Sequence, residues 1–471
     1  MAKYILCVML FVCLTGCSSA PSSYSNAVMQ DISDTAISGD TDNNRLAATV
    51  STAFNEAMVK CPERVWPDYN WRSLEVILFD RAKQQAFRWT GSDGTKAEMI
   101  DFGSVAPRLV QGTYAYNLPG EKPLMAMSLH DEGSLYSLIG LSIHEGFHEF
   151  GQIGWPSLLQ GVDQRFTTYP QNYMPRYLRY AISRLLLDFL DTGNPARLSE
   201  VRDVWDRYRH DFKEEAEAIA YTDIEEGTAR YLEVRGTTLA TLGCAADDKT
   251  MYARYRTILL QTVGGEIGIL TDSSWESYTI GALASLALHN DTAHKGWEKR
   301  IVNGETPLAI LLENVSPKPA PEFNDKLAEA ESATNKWNEA RRPVVEAFRQ
   351  SAVSDKHYVF AIPEKRKMGS YNATGQIKDM ATGWKLITNF RVSFSDRQSS
   401  ALIKLNGLTV REDEASPCAS GKEDTIIFYL PQDQVKIESG QQLSFTGGVV
   451  SGDKISYQEV RDNGGNSWFC L

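Results

Sequence analysis

Cysteine is sparse in this 471-residue chain, with seven in all, and no two are spaced as C-x-x-C. That spacing is what a thiolate zinc site needs, so a cysteine-held metal is not expected. Long apolar runs are missing after the first seventeen residues, so nothing beyond them reads as a membrane-crossing helix. Positive charge is not in excess. The formal net charge is −12, and no basic patch large enough to grip nucleic acid stands out. No internal repeat is found. Histidine is scarce too, seven residues in all, which makes their positions informative. The length suits two or three domains with a sizeable core.

The first seventeen residues, "MAKYILCVMLFVCLTGC", have a cationic start at Lys3 and an apolar run from Tyr4 to Leu14. That run has the length of a signal-peptide core and is too short to span a bilayer. It ends in "LTGC", Leu14 to Cys17, which resembles a bacterial lipobox. The resemblance implies a signal peptide over 1–16, cleavage before Cys17, and acylation of Cys17 as a membrane anchor. Ser18 rather than aspartate then leans toward the outer membrane of the bacterial envelope. An ordinary secretory signal is the alternative. Residues 17–45 are rich in Ser, Asp and Asn and read as a flexible tether. Cys7 and Cys13 leave with the signal, so Cys61, Cys244, Cys418 and Cys470 remain. An even number on the oxidising side of a membrane suggests two disulfides. Of the three pairings, Cys61–Cys244 and Cys418–Cys470 keep each bridge inside one domain; free buried thiols are the other reading.

The fold class expected is α+β, in two domains. Residues 46–350 form the first. Its alternating segments "SLEVILFD", "QAFRWTG", "GTYAYNL" and "PLMAMSL", within 73–129, read as a short sheet. Helical spacing then runs to about residue 350, through "RYLRYAISRLLLDFL" and "RDVWDRYRHDFKEEAEAIAYTDIEEGTARYLEVRG". A proline-rich break, "ENVSPKPAPEFND", precedes a charged helix that Pro343 is expected to interrupt. Residues 356–471 carry short strands between turn residues and read as an all-β, sandwich-like domain.

The chemistry concentrates in "IHEGFHEF", Ile143 to Phe150. Apolar residues at Leu138, Leu141, Ile143, Phe147 and Phe150 put this stretch on a helix, with Gly151 as its stop. Gly140 and Gly146 are unfavourable there and are expected where another backbone comes close. His144 and His148 fall on one face, a turn apart, where two imidazoles can hold one tetrahedral Zn²⁺. Glu145 projects about 100° away and can serve a metal-bound water without being a ligand. Chance supplies roughly 0.007 such patterns in a chain of this composition. The other histidines (130, 210, 289, 294 and 357) form no comparable pair.

The third ligand separates families. The metzincin extension H-E-x-x-H-x-x-G-x-x-H fails, because its last ligand position is Gly154. Farther on, "DIEEGTARYLE", Asp223 to Glu233, supplies E-G-x-A on a helix. The pair of motifs resembles the gluzincins, the thermolysin-like zinc peptidases of the peptidase MA clan, and most of all their alanyl-aminopeptidase branch and a broad group of peptidase-MA-like proteins that includes bacterial lipoproteins. The resemblance covers roughly residues 73–300 and implies Glu226 as third ligand, with Glu225 as the nearest rival. The gap from His148 is longer than in that branch, and a helical insertion at about 156–200 would fill it. Thermolysin orients a ligand histidine with an aspartate four residues after its ligand glutamate; here that position is Arg230. The substrate motif G-x-M-E-N is absent, so aminopeptidase activity is not implied. By analogy of position, Tyr278 is the expected electrophile for the oxyanion, with Tyr231 and His289 as weaker candidates. Glu149 is a poor fourth ligand, since it points off the ligand face. The expectation is therefore a membrane-anchored zinc metallopeptidase acting on peptide or protein substrates. Its rivals are a non-catalytic zinc-containing or binding lipoprotein, and a zinc hydrolase of cell-wall peptides. No sequence feature speaks to oligomeric state.

Overall fold

The structure is a computed structural model. It describes residues 42–67, 74–92, 94, 96–106, 114–116, 124–130, 134–152, 154–155, 167–271, 273–289, 291–363, 367–372, 375–395, 402–413, 416–419, 425–462 and 467–471. The expected signal peptide, Cys17 and most of the tether lie outside those residues. The tether is shorter than expected at its far end, because helix α1 (Asn43–Phe54) begins inside it. Asp42 caps that helix by accepting from the Asn44 N–H. Asn43 reads as a tether residue because it is polar, yet it is buried, donating to Asp80 at 2.9 Å and to Gln85 at 2.7 Å.

The fold is α+β, and the chain divides into two compact units. In the first, a five-stranded sheet has the order β3-β2-β1-β5-β4: β1 (Glu75–Asp80), β2 (Gln85–Thr90), β3 (Glu98–Ile100), β4 (Tyr114–Tyr116) and β5 (Leu124–Ser128). Strand β3 has only one partly buried residue and shows no clear alternation, so it escapes a reading by pattern. Strands β1 and β5 run parallel; the other neighbours are antiparallel. Five consecutive residues of β1 are buried because both faces of the sheet are covered. Ile77, Phe79, Ala86 and Ala126 pack on one face. On the other, Trp89 meets Phe54 of α1 with ring centroids 5.1 Å apart.

The short helices α2 (Pro62–Val65) and α3 (Phe102–Val105) punctuate this region. Then come α4 (Leu135–Gly146), α5 (Tyr173–Thr192), α6 (Ala196–Asp211), α7 (Lys213–Leu242), α8 (Asp248–Glu266), α9 (Ser273–His289), α10 (Trp297–Val302) and α11 (Pro307–Leu311). Helix α7 is the axis of the unit. It packs against α4, α8 and α9, and it is buried nearly all round from Thr222 to Leu239. Its crossing with α9 is made by two glycines: a Cβ on Gly227 would lie 2.4 Å from the Gly281 Cα. The glycine of E-G-x-A thus has a packing reason. Gly140 does mark a close approach, but to the side chains of Glu233 and Thr237 on α7 rather than to a backbone. Cys61 and Cys244 are bonded, with Cα atoms 5.9 Å apart, and tie the end of α7 to the segment before α2.

The second unit does not begin at the expected boundary. It takes residues 167–173 and everything from Glu331. Strand β6 (Thr167–Tyr169) pairs in parallel with a strand two hundred residues later in the fold order, β9 (Gly375–Asp379). Part of the anticipated helical insertion is therefore strand. Helix α12 (Asn324–Ala352) runs through Pro343 without a break, and Val345 and Phe348 pack with Tyr169, Ile377 and Leu386. The remaining strands are β7 (His357–Pro363), β8 (Lys367–Asn372), β10 (Lys385–Ser395), β11 (Leu402–Asp413), β12 (Thr425–Pro431), β13 (Val435–Glu438), β14 (Gln442–Phe445), β15 (Val450–Ser456), β16 (Gln458–Arg461) and β17 (Ser467–Cys470). Instead of two separate sheets, the twelve strands hydrogen-bond as one sheet that branches at β10. Phe360, Phe390, Phe394, Phe428 and Phe445 share its core. Cys418 and Cys470 are bonded within this unit, as the other favoured pairing has it.

The glycine crossing gives a direct test. Gly281→Ala places a Cβ 2.5 Å from the Asp223 carbonyl oxygen and the Gly227 Cα, where no flexible side chain can give way. Overpacking of this kind costs about 1–3 kcal/mol. Gly265→Ala in α8, with nothing within 4 Å, is the control. Denaturant unfolding should show the first variant destabilised and the second unchanged or slightly stabilised.

Candidate metal centre

Helix α4 starts where Ser134 accepts from the Ser137 N–H, and it buries Leu138, Ile139 and Ile143. Its packing on α7 is tight: a Cβ on Gly236 would sit 2.8 Å from Ile143 Cδ1. That contact brings the motif helix against the stretch of α7 that carries Glu226. After Gly146 the helix widens into a π turn, Phe147–Gly151, closed by the Gln152 N–H donating to the Phe147 carbonyl at 2.8 Å. Gly151 therefore ends a π turn, not an α-helix. Turns of this kind recur at functional sites.

His144, His148 and Glu226 converge. One ligand atom from each lies within 4.8 Å of the others, the one such group among the described residues. Glu226 Oε2 is 3.3 Å from His144 Nε2 and 3.2 Å from His148 Nε2. For a tetrahedral ion with ligands at about 2.0–2.1 Å, ligand atoms stand about 3.3 Å apart, so both separations fit such an ion. All three residues are at least 96% buried. Glu225, the rival ligand, is not in this group: its carboxylate accepts from the Tyr221 hydroxyl at 3.2 Å, though its charge still acts on His148. Gly154 holds a φ of 86°, a turn position rather than a ligand position. Of Glu149, the side chain lies outside the described residues.

Two further residues aim the imidazoles, and neither was expected. His148 Nδ1 lies 2.6 Å from Gln152 Oε1. Gln152 Nε2 donates to the Glu225 carbonyl and to Thr228 Oγ1, both at 2.9 Å. A carbonyl can only accept, so the amide orientation is fixed. Its oxygen must then accept from His148 Nδ1–H, which leaves Nε2 as the nitrogen that faces Glu226. His144 Nδ1 lies 3.3 Å from Glu233 Oε2, an ion-pair contact without hydrogen-bond alignment, and Arg230 Nη1 donates to Glu233 Oε1 at 2.6 Å. Arg230, four residues after Glu226, thus supports a carboxylate three residues farther on.

The electrostatics favour a cation. Burial pushes the His144 imidazolium down, but Glu226, Glu233 and Glu145 outweigh it and hold its pKa at about 10. For His148 burial again lowers and Glu226 raises, with a net upward shift. Burial would raise the Glu233 carboxyl, yet Arg230 and His144 bring it down to about 2. Where no metal is bound, protons supply the positive charge these carboxylates require; a metal ion would replace them.

Glu145 is buried on the motif helix, 7% exposed, and its charge acts on His144. Tyr278, in the first part of α9, stacks on the His144 ring at 5.7 Å with 7° between planes. The two weaker electrophile candidates are not brought to this group. The Tyr231 hydroxyl and His289 Nδ1 are 2.7 Å apart, amid Tyr252, Tyr255 and Trp297. Burial holds His289 down at about 3, so its ring is neutral.

Removing an orienting partner should weaken metal affinity about 10- to 100-fold, as such partners do elsewhere. Glu233→Gln and Gln152→Ala are the variants, and chelator competition is the measurement; unchanged affinity in both would show that they are only packing. The raised His144 value has a pH consequence as well. Its ion pairs stabilise the metal-free fold fully below the unfolded value near 6.5, and this stability is lost as pH rises through about 10. Across the same window, zinc affinity should rise, with proton release on binding measurable by calorimetry in buffers of different ionisation enthalpy. No protein-family model, curated protein or solved structure matches the chain, so the reading of this centre rests on its residues and their geometry.

Proposed function

We propose that the chain is a zinc-dependent hydrolase of peptide bonds, with His144, His148 and Glu226 as metal ligands. The observation that carries this reading is the buried group of two imidazole nitrogens and one carboxylate oxygen, with a second buried carboxylate, Glu145, on the same helix. Three protein ligands of this kind are the donor set of catalytic zinc, which keeps a fourth position for water or substrate. Bound there, zinc would acidify a water toward a pKa of about 7 and polarise the carbonyl it meets. Glu145 takes the proton from the attacking water and passes it to the leaving amine. Tyr278 donates a hydrogen bond to the oxygen that gains negative charge. Gln152 holds His148 in the tautomer that presents Nε2, and the Glu233 charge beside Nδ1 favours the same tautomer of His144.

A peptide is the substrate class favoured by the sheet. Strand β4 is at its edge and packs against α4, where an extended chain can add by main-chain hydrogen bonds. Two disulfides support an oxidising compartment. Lipid anchoring at Cys17 in a bacterial envelope remains part of the proposal. Among the described residues no helix is long and apolar enough to cross a membrane.

Glu145→Gln should bind zinc as the native chain does and lose about 10²- to 10⁴-fold in peptide cleavage, the usual size of a general-base contribution. Glu226→Ala should lose most bound zinc. Metal analysis and cleavage of an unfolded protein substrate check both. Full zinc occupancy in Glu226→Ala would remove this residue from the ligand set, and undiminished cleavage by Glu145→Gln would remove the mechanism.

A further inference from the structure

The first turn of α9 presents two different faces. Glu276 and Ser277 are buried and point to two arginines of α5. Arg179 reaches Glu276 at 2.8 Å, Ser277 at 3.0 Å and Asp223 of α7 at 2.6 Å, and Arg176 reaches Glu276 at 3.2 Å. With that face anchored, the helix rotation sends residues 275 and 278 the other way, since positions three apart on a helix are neighbours. Tyr278 stacks on His144, and Trp275 stacks on Tyr278 at 5.2 Å with 29° between planes. Trp275 is 40% exposed, and it is the one aromatic ring among the exposed large hydrophobic side chains described.

We propose that Trp275 is the specificity-determining residue of this centre, a flat ring that receives an aromatic or large aliphatic side chain of the peptide near the cleaved bond. The inference rests on the hydrolase reading above. With ring separations of 5.7 and 5.2 Å, Trp275 is no more than roughly 11 Å from His144, the span of about three residues of extended chain. The recognised side chain therefore lies within three residues of the bond. A partly exposed indole gains by burial against an apolar side chain, and aromatic pairs gain further by stacking. Tryptophan is also among the residue types enriched where a few side chains dominate binding between proteins. Rigidity adds to this. Tyr278 backs the ring on one side, and the arginine anchor fixes the turn that carries it, so little ordering is needed when substrate arrives.

The test uses the full chain loaded with zinc, in native, Trp275→Ala and Trp275→Phe forms, with zinc content measured in each. A mixed peptide library is digested and the cut sites are read by mass spectrometry. Equilibrium binding of the same peptides to zinc-loaded Glu145→Gln, with and without Trp275→Ala, runs in parallel. The native chain should cut within three residues of aromatic or large aliphatic side chains. Trp275→Ala should lose on the order of 10- to 100-fold in kcat/KM for those peptides, with little change for peptides of small residues, and Trp275→Phe should retain most of the preference. Cleavage with the same preference in Trp275→Ala overturns the proposal and leaves the hydrolase reading standing. A preference for lysine or arginine that Trp275→Ala abolishes overturns the apolar assignment. If the native chain cuts nothing, the hydrolase reading fails. Binding of aromatic peptides that Trp275→Ala weakens then supports recognition by this ring, and binding that it leaves unchanged overturns it.

Discussion

The contact on which the first unit depends is the crossing of α7 and α9 at Gly227 and Gly281, where two backbones touch with no side chain between them. Everything in the candidate centre is measured from it. The residue before Gly227 is Glu226, and the turn before Gly281 carries Tyr278. Beside the crossing lies the buried charge cluster of Arg176, Arg179, Glu215, Asp223 and Glu276. Two guanidinium groups face three carboxyl groups there. Burial pushes Glu276 up to about 8 against the pull of both arginines. Buried ion pairs contribute little net stability, because desolvation offsets their attraction. Their effect here is geometric. Arg179 binds both helices at once and so fixes their rotation about the glycine contact.

Much of the centre was legible in the sequence because ligand chemistry imposes spacing. His144 and His148 had to share a helical face, and Glu226 came with a glycine whose reason is now plain. Glu233 and Gln152 were not read, although their positions follow a pattern. Glu226, Arg230 and Glu233 form a stripe of four- and three-residue steps on α7, and His144, His148 and Gln152 step by four. Such stripes of polar residues are common on helix surfaces, and only tertiary packing turns one inward. The same limit explains the misplaced boundary. Three residues, Thr167 to Tyr169, carry too little periodicity to reveal a strand that pairs in parallel with a partner far along the chain. Pro343 was read as a break, but tertiary packing of Val345 and Phe348 holds the helix through it.

The two imidazoles are oriented by unlike partners, and the difference has a chemical effect. Glu233 is a charged acceptor, backed by Arg230, and increases the basicity of His144. Gln152 is a neutral amide, held by a carbonyl and a hydroxyl of α7, and it fixes the His148 tautomer while adding no charge. A centre with two charged acceptors would hold its ion more strongly and neutralise more of its positive charge. Less would remain to act on a substrate carbonyl. With one charged and one neutral partner, an ion bound here would keep more of its acidity.

The π turn at Phe147–Gly151 bears on how far this arrangement can be moved to another protein. A regular α-helix continued from α4 through this stretch would still present both imidazoles and the intervening glutamate. It would set Gln152 at a different angle about the helix axis, and with it the reach of one amide to both His148 Nδ1 and the Glu225 carbonyl. Grafting the motif onto an ideal helical scaffold would transplant the donor atoms and leave behind the part of the backbone that points them.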